Sequence, residues 1–268
     1  EDNNLKIEDA AKIIGCWKAL SKQDTQEDLA DDAAPMRRAV AFCQTKKQKS
    51  NGKTHKISSK KIASMFSDVI EYYKESAPED EIASTLKCEA SHVDGGMSAT
   101  EKEAELAWLK SPVPDNTCRI LSNVRCLSEG VDVPALDAVL FLTPRNSQVD
   151  VVQSVGRVMR LAEGKKRGYI IIPVVIPAGM EPEAALNDNK TYKVVWDVLN
   201  ALRSHDDRFD AMINRTELVG ADKSRMEVIA VTDKVQRRTK TGGAEGKGKV
   251  GRGGGGVIGT PKPKPKGD

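Results

Sequence analysis

The strongest chemical signal in the chain lies between residues 153 and 160. Gln153, Arg157 and Arg160 recur at spacings of four and three, which on a helix would set one amide and two guanidiniums on one face. Two planar cations fixed together suit a phosphoryl group whose charge grows in a transition state. The same spacing also fits an ordinary surface helix with solvated arginines, and spacing alone leaves both readings standing. Upstream, Gly130 permits a tight turn at a strand's end, and Asp132, two residues on, can accept hydrogen bonds from hydroxyl groups.

A second segment resembles a phosphate site and fails on inspection. Asn51-Gly52-Lys53-Thr54 ends like a phosphate-binding loop, but that loop needs a glycine five positions before Gly52, where Lys47 stands. Lysine adopts left-handed backbone only at a cost, so the nest of N–H groups would not form. The segment Lys46 to Lys56 reads instead as a solvated basic turn. Nor does any strand end in the paired acids that would hold a catalytic magnesium, so the chain is expected to lack the parts for hydrolysing ATP alone. His55, His92 and His205 are too dispersed for a metal set or a triad. Trp17, Trp108 and Trp196 sit at apolar helical positions and are expected in the core.

Composition narrows the classes. The chain has 268 residues, 39% hydrophobic and 30% charged, enough to bury a core; 4% aromatics argues against an aromatic-lined lectin. No apolar stretch approaches the ~20 residues that cross a bilayer. The N-terminus lacks the basic and apolar regions of a signal peptide and has no Met, as expected of a piece of a longer protein. The net charge of +3 hides an asymmetry. Residues 236–268 hold nine Lys/Arg, two acids and 11 of the 21 glycines, whereas residues 1–235 hold 33 bases and 37 acids. The basic balance belongs to the tail. Cys16, Cys43, Cys88, Cys118 and Cys126 form no C-x-x-C pair, which points to reduced, cytoplasmic thiols.

The elements that must position Gln153, Arg157 and Arg160 can be read from periodicity. Leu5 to Leu20, Ile57 to Tyr73, Ser147 to Arg160 and Tyr192 to Leu202 predict helices, with Phe209 to Leu218 as a further one. Ser21 to Asp32 reads as a loop or a short polar helix. Ser98 and Glu101 form a capping-box pattern opening another helix, with Ala104, Ala107 and Trp108 expected inward. Arg38 to Gln44, Cys88 to Val93, Arg119 to Ser122, Ala138 to Leu142 and Tyr169 to Ile176 predict strands. The Arg119 and Ala138 runs are continuously apolar rather than alternating, as in a parallel sheet covered on both faces. The fold class is therefore α/β: an open, mostly parallel sheet with helices on both faces, C-terminal helices and a flexible Gly/Lys/Pro tail. The expected division is 1–37 for an N-terminal helix and acidic connector, 38–180 for the α/β lobe, 181–235 for a helical extension and 236–268 for the tail.

Gly130-Val131-Asp132, a strand, and then Gln153-Ser154-Val155-Gly156-Arg157-Val158-Met159-Arg160 resemble motifs V and VI of superfamily 2 helicases and translocases, in order and separation. Ala39 to Thr45 resembles motif IV, and Val93 to Glu103 the segment after it. The likeness runs from about Arg38 to Ile176. Leu127 to Asp137, with Ala201 to Asp206 downstream, resembles more narrowly the single-polypeptide type ISP restriction–modification enzymes.

The resemblance implies a RecA-like second lobe, with ATP and magnesium bound where it meets a first lobe that carries the phosphate loop and the acids. Arg157 and Arg160 would be arginine fingers, Gln153 a polar contact to the nucleotide, and Gly130 with Asp132 neighbours of the ribose. DNA is the implied track, and nuclease and methyltransferase domains the implied flanks; no membrane is involved. Val124 stands where many members have a Thr touching the nucleic-acid backbone, and Arg125 where Asp is common. Asn123 or Arg125 is left to make that contact, with Ser98 and Lys102 as further phosphate candidates. The alternatives are the same lobe of an RNA helicase, against which Gln153 stands where His is common, and a non-enzymatic module binding nucleic acid through its basic tail.

Overall fold

Strand β1 (Arg38–Phe42) is the middle of five parallel strands, flanked by β5 (Thr117–Asn123) and β6 (Ala138–Phe141), with β4 (Lys87–Val93) and β7 (Tyr169–Ile171) at the edges. The computed structural model describes residues 7–22, 29–43, 47–50, 53–56, 59–77, 84–123, 133, 136–145, 147–160, 162–177 and 179–203. The expected helix at Phe209 to Leu218, the tail, Cys126, His205, Arg125, Gly130 and Asp132 lie outside these residues.

Both faces of the sheet are apolar because alternate residues of each buried strand serve different cores. Ala39, Ala41, Ile120 and Leu140 face helices α1 (Ile7–Ser21) and α2 (Ser59–Ser76), where Trp17 and Phe66 are fully buried. Val40, Phe42, Leu121, Val139 and Phe141 face α3 (Ala99–Lys110), α4 (Gln148–Val158) and α6 (Lys193–Arg203). The chain passes from β1 to β4 over the first face, and from β4 to β5 and β6 to β7 over the second, as same-handed crossovers require. A short helix α5 (Pro182–Asn187) precedes α6 and was not expected from periodicity. A 3-10 turn, Ala30–Asp32, is the short polar helix of the acidic connector.

Cys16, Cys43, Cys88 and Cys118 are free and buried; burial pushes the thiols of Cys16 and Cys88 up to about 12 and that of Cys43 to about 11, so they pack as neutral groups. Trp17 and Trp196 are core residues whose indole N–H groups reach Leu86 O (3.0 Å) and Asn187 Oδ1 (2.7 Å).

Three expectations are corrected. Ala104 and Ala107 are exposed, and Leu109 is the buried residue of α3. That helix is held by its ends. Ser98 and Glu101 close the capping box, while Arg38 and Arg119 donate to the carbonyls of Trp108, Leu109 and Ser111 at its C-terminus. The strand expected to reach Ile176 stops at Ile171, which pairs with Leu140, one residue before β6 itself ends at Phe141. The segment read as a basic turn contains two strands, β2 (Lys47–Ser50) and β3 (Lys53–Lys56), paired antiparallel as a separate ribbon. Among the described residues no helix is long and apolar enough to cross a membrane.

Candidate functional site

Helix α4 carries the arginines because its other sides are committed to packing. Ser147 opens it by accepting the Asp150 N–H on its hydroxyl at 3.3 Å, and Asp150 puts negative charge in the first turn. Val151, Val152, Val155 and Val158 are buried, each burial worth roughly 1.5–3 kcal/mol. They pack in one core with Tyr192, Val195, Trp196 and Leu199 of the chain's last described elements. Tyr192 also ties this layer to the sheet by donating to Leu142 O at 3.2 Å. The stripe left open runs through Val149, Gln153 and Arg157.

Arg157 is half-buried, and desolvation holds its guanidinium below the usual arginine range, with the nearby Arg160 charge acting in the same direction. Arg157 remains a cation. An amide and two guanidiniums are donors of the kind that phosphate oxygens accept. Arg160 itself lies beyond the helix, where its N–H meets Arg157 O at 3.4 Å in a looser turn.

Two residues that periodicity does not reveal hold this turn. The Lys165 ammonium donates to the carbonyls of Val158 and Arg160, the latter at 3.0 Å. Burial brings Lys165 down to about 8, with the Asp137 carboxylate opposing the shift. Gly168 lies against the same helix end, and a Cβ there would stand 2.3 Å from Val158 O. Backbone cannot yield that distance, so only glycine lets β7 start this close to α4. At the other end of α4, the buried Arg145 stacks 4.6 Å over the Phe42 ring and fixes the approach to the helix. Its partner is 103 residues away in sequence, which is why no local signal marks it.

Of the other candidates, the described ones, Asn123, Ser98 and Lys102, occupy the opposite edge of the sheet. Asn123 closes β5 and is buried, its carbonyl accepting the Cys43 N–H at 2.9 Å and Sγ–H at 3.3 Å. Ser98, beyond the carboxyl end of β4, already gives its N–H and O–H to the Glu101 carboxylate at 2.7 and 2.8 Å. That hydrogen bonding holds Glu101 below the ordinary carboxylate range. An internal carboxylate therefore uses the donors that a phosphate would need from Ser98. Lys102 follows one turn on, half-exposed. The arginines, by contrast, lie toward the amino edge: α4 ends beside Gly168, and Tyr169 N–H meets Asp137 O at 2.8 Å just before β6 begins. At that edge Asp137 also accepts the N–H groups of Arg37 and Arg38 at 2.7 and 3.0 Å. The structure thus groups Gln153, Arg157 and Arg160 and keeps them apart from Asn123, Ser98 and Lys102. Val133, directly after Asp132, is buried in the same core as α4. Among the described residues no three His, Cys, Asp or Glu side chains gather as a metal-holding group.

Residues 21–162 match the family described as helicase conserved C-terminal domain. A solved structure titled as the ATP-dependent type ISP restriction–modification enzyme LlaBIII bound to DNA is 44% identical, with a TM-score of 0.60 over 80% of this chain and 13% of that one. "Probable helicase A859L" of African swine fever virus is 32% identical over 117 residues, 41% of this chain and 13% of the viral protein. The chain therefore spans only 13% of the length of either relative. It belongs to the helicase conserved C-terminal domain family, as the second RecA-like lobe of a superfamily 2 helicase similar to the type ISP enzymes.

Proposed function

We propose that the lobe is one half of an ATP-driven DNA translocase of the restriction–modification kind, acting in the cytoplasm. Its partner would be a first RecA-like lobe of the same polypeptide, holding the phosphate loop and the magnesium ligands. Nuclease and methyltransferase domains would flank the pair. Residues 38–180 would be the motor lobe, 1–37 an N-terminal helix and acidic connector, 181–235 a helical extension, and 236–268 a linker or disordered tail.

The observation that carries this reading is the coupled pair Arg157 and Arg160, half-buried and anchored at the end of a helix clamped inside the core. A cation that is already positioned loses little reorganisation when charge develops on the transferring phosphoryl group. Arg157 and Arg160 would stabilise that charge, Gln153 would hold the nucleotide's phosphate side, and Gly130 with Asp132 would border the ribose. Asn123, at the other edge, or Arg125 would meet the nucleic acid. Magnesium, when bound by the first lobe, would neutralise phosphate charge. Lobe closure on ATP and opening after hydrolysis would then move the protein along one strand.

The test is DNA-stimulated ATPase of the parent protein, wild type against Arg157→Ala and Arg160→Ala. Loss of turnover with nucleotide and DNA binding retained is expected. Unchanged turnover in both variants would overturn the finger assignment.

A further inference from the structure

The β2–β3 ribbon has no role in the ATP chemistry above, and its composition is unlike the rest of the lobe. Between Cys43 and Ile62 the sequence places seven lysines and one histidine with no Asp or Glu. The rest of residues 1–235 holds 26 bases against 37 acids. Four of the lysines, Lys47, Lys49, Lys53 and Lys56, occupy strand positions. No residue of either strand is apolar, so the ribbon has no hydrophobic face to bury, and an isolated two-stranded hairpin is marginal in water. Its register is costlier still: Lys47 is paired with Lys56, and like charges directly opposite destabilise a ribbon. A segment that concentrates repelling cations without a core is stabilised by a polyanion.

The fold fixes where this segment stands. On its N-terminal side, Cys43 is bound through N–H and Sγ to Asn123 O. On its C-terminal side, the buried Ser59 accepts the Ser122 hydroxyl on its carbonyl at 2.6 Å and donates its own hydroxyl to Val93 O at 3.3 Å. Both roots are therefore pinned to the carboxyl ends of β4 and β5, the edge that carries Asn123. Lys60, in the first turn of α2, is exposed beside the same root, and that turn has no acidic residue.

We propose that the β2–β3 ribbon is a DNA phosphate-backbone grip, sequence-independent and separate from the arginine pair. It rests on the reading that the lobe works on DNA, and it adds the element that holds the track. Lysine rather than arginine suits this task, since a compact charge on a flexible stem tolerates phosphates at varying positions as the motor moves.

The experiment is equilibrium binding of a labelled DNA duplex to the full chain across a salt series. Wild type is compared with K47Q/K49Q/K53Q/K56Q and with K262Q/K264Q/K266Q in the tail. Each lost phosphate contact should flatten the log–log salt slope by roughly 0.9, so the ribbon variant should lose about 3 to 4. A ribbon variant with the wild-type slope, alongside a tail variant that removes the salt dependence, overturns the proposal. If the fourfold variant melts early, the four single Lys→Gln variants are read instead, each expected to lose about 0.9. DNA-stimulated ATPase of the parent separates this from the motor reading. Ribbon variants should need more DNA for half-stimulation at unchanged maximal turnover. A lower maximum at unchanged DNA requirement and slope overturns the grip and leaves the motor intact. A changed slope in a protein whose Arg157 and Arg160 variants turn over normally leaves the grip and overturns the motor.

Discussion

The two charged regions of this lobe are built in opposite ways. At the amino edge, Arg157 and Arg160 sit at the end of a helix buried on most sides, with Lys165 bonded to the terminal carbonyls and Gly168 pressed against the backbone. At the carboxyl edge, the lysines of β2 and β3 lie on a ribbon with no apolar residues, in a sheet of its own. The first arrangement fixes a few cations in a partly desolvated place, where, on the proposed reading, small displacements would cost rate. The second collects many cations where each adds little and position matters less. On the proposed reading, the contrast separates chemistry from grip: packing surrounds the groups that would meet a transition state, and a lysine-rich ribbon would serve the polymer.

The sharpest way to break the contrast is at the arginines. Arg160→Lys keeps the charge but loses the planar fork, so it should lower turnover of the parent enzyme nearly as far as Arg160→Ala, by roughly 10³-fold or more, with ATP affinity changed only a few-fold. A lysine variant close to wild type would mean that charge alone suffices, as proposed for the ribbon. Trp196→Ala attacks the clamp. It opens a cavity in the core shared with α4 and removes the bond to Asn187, and urea unfolding should show a loss of about 3–5 kcal/mol.

A smaller effect is expected from Gly168→Ala, which forces a methyl toward Val158 O and should cost about 1–3 kcal/mol. Because the strain falls on the turn before Arg160, turnover should drop while the DNA salt slope stays constant; equal losses in both would erase the division between the edges. The smallest signal is the pH response of Lys165. Its folded-state proton is released near 8 and its unfolded-state proton near 10.5, so between these values the unfolded chain binds more protons and this group makes stability rise with pH. Wild type should therefore gain melting temperature relative to Lys165→Met between pH 8 and 10. A constant difference would show that the ammonium is solvated rather than seated in the turn.

How far the sequence could be read depended on whether the partners were local. The capping box at Ser98 involves residues three apart, and its hydrogen bonds form as the spacing predicts. The apolar runs at Ile120 and Leu140 were expected as strands covered on both faces, and both pair with β1, whose run at Val40 was expected as a short buried strand. The ribbon was read as a turn because strand periodicity is recognised by an apolar face, and this ribbon has none. The inward placement of Ala104 and Ala107 failed because α3 is held by arginines from β1 and β5 at its last carbonyls rather than by a broad apolar stripe. The spacing of Gln153, Arg157 and Arg160 was legible, whereas the support from Lys165, Gly168 and Arg145 was not.

By itself, the sequence determined the five strands of the main sheet, the longer helices and the types and spacing of the charged groups, since these follow from periodicity and side-chain chemistry over a few residues. The tertiary structure decided that the arginines and the lysine ribbon stand at opposite edges of one sheet, and that Arg160 lies past the helix in a turn held by Lys165. The physical reason is that parallel strands pair only through long crossovers. The neighbours of Asn123, Phe42 and Val158 are thus set by which strands lie side by side, a choice that no local window contains.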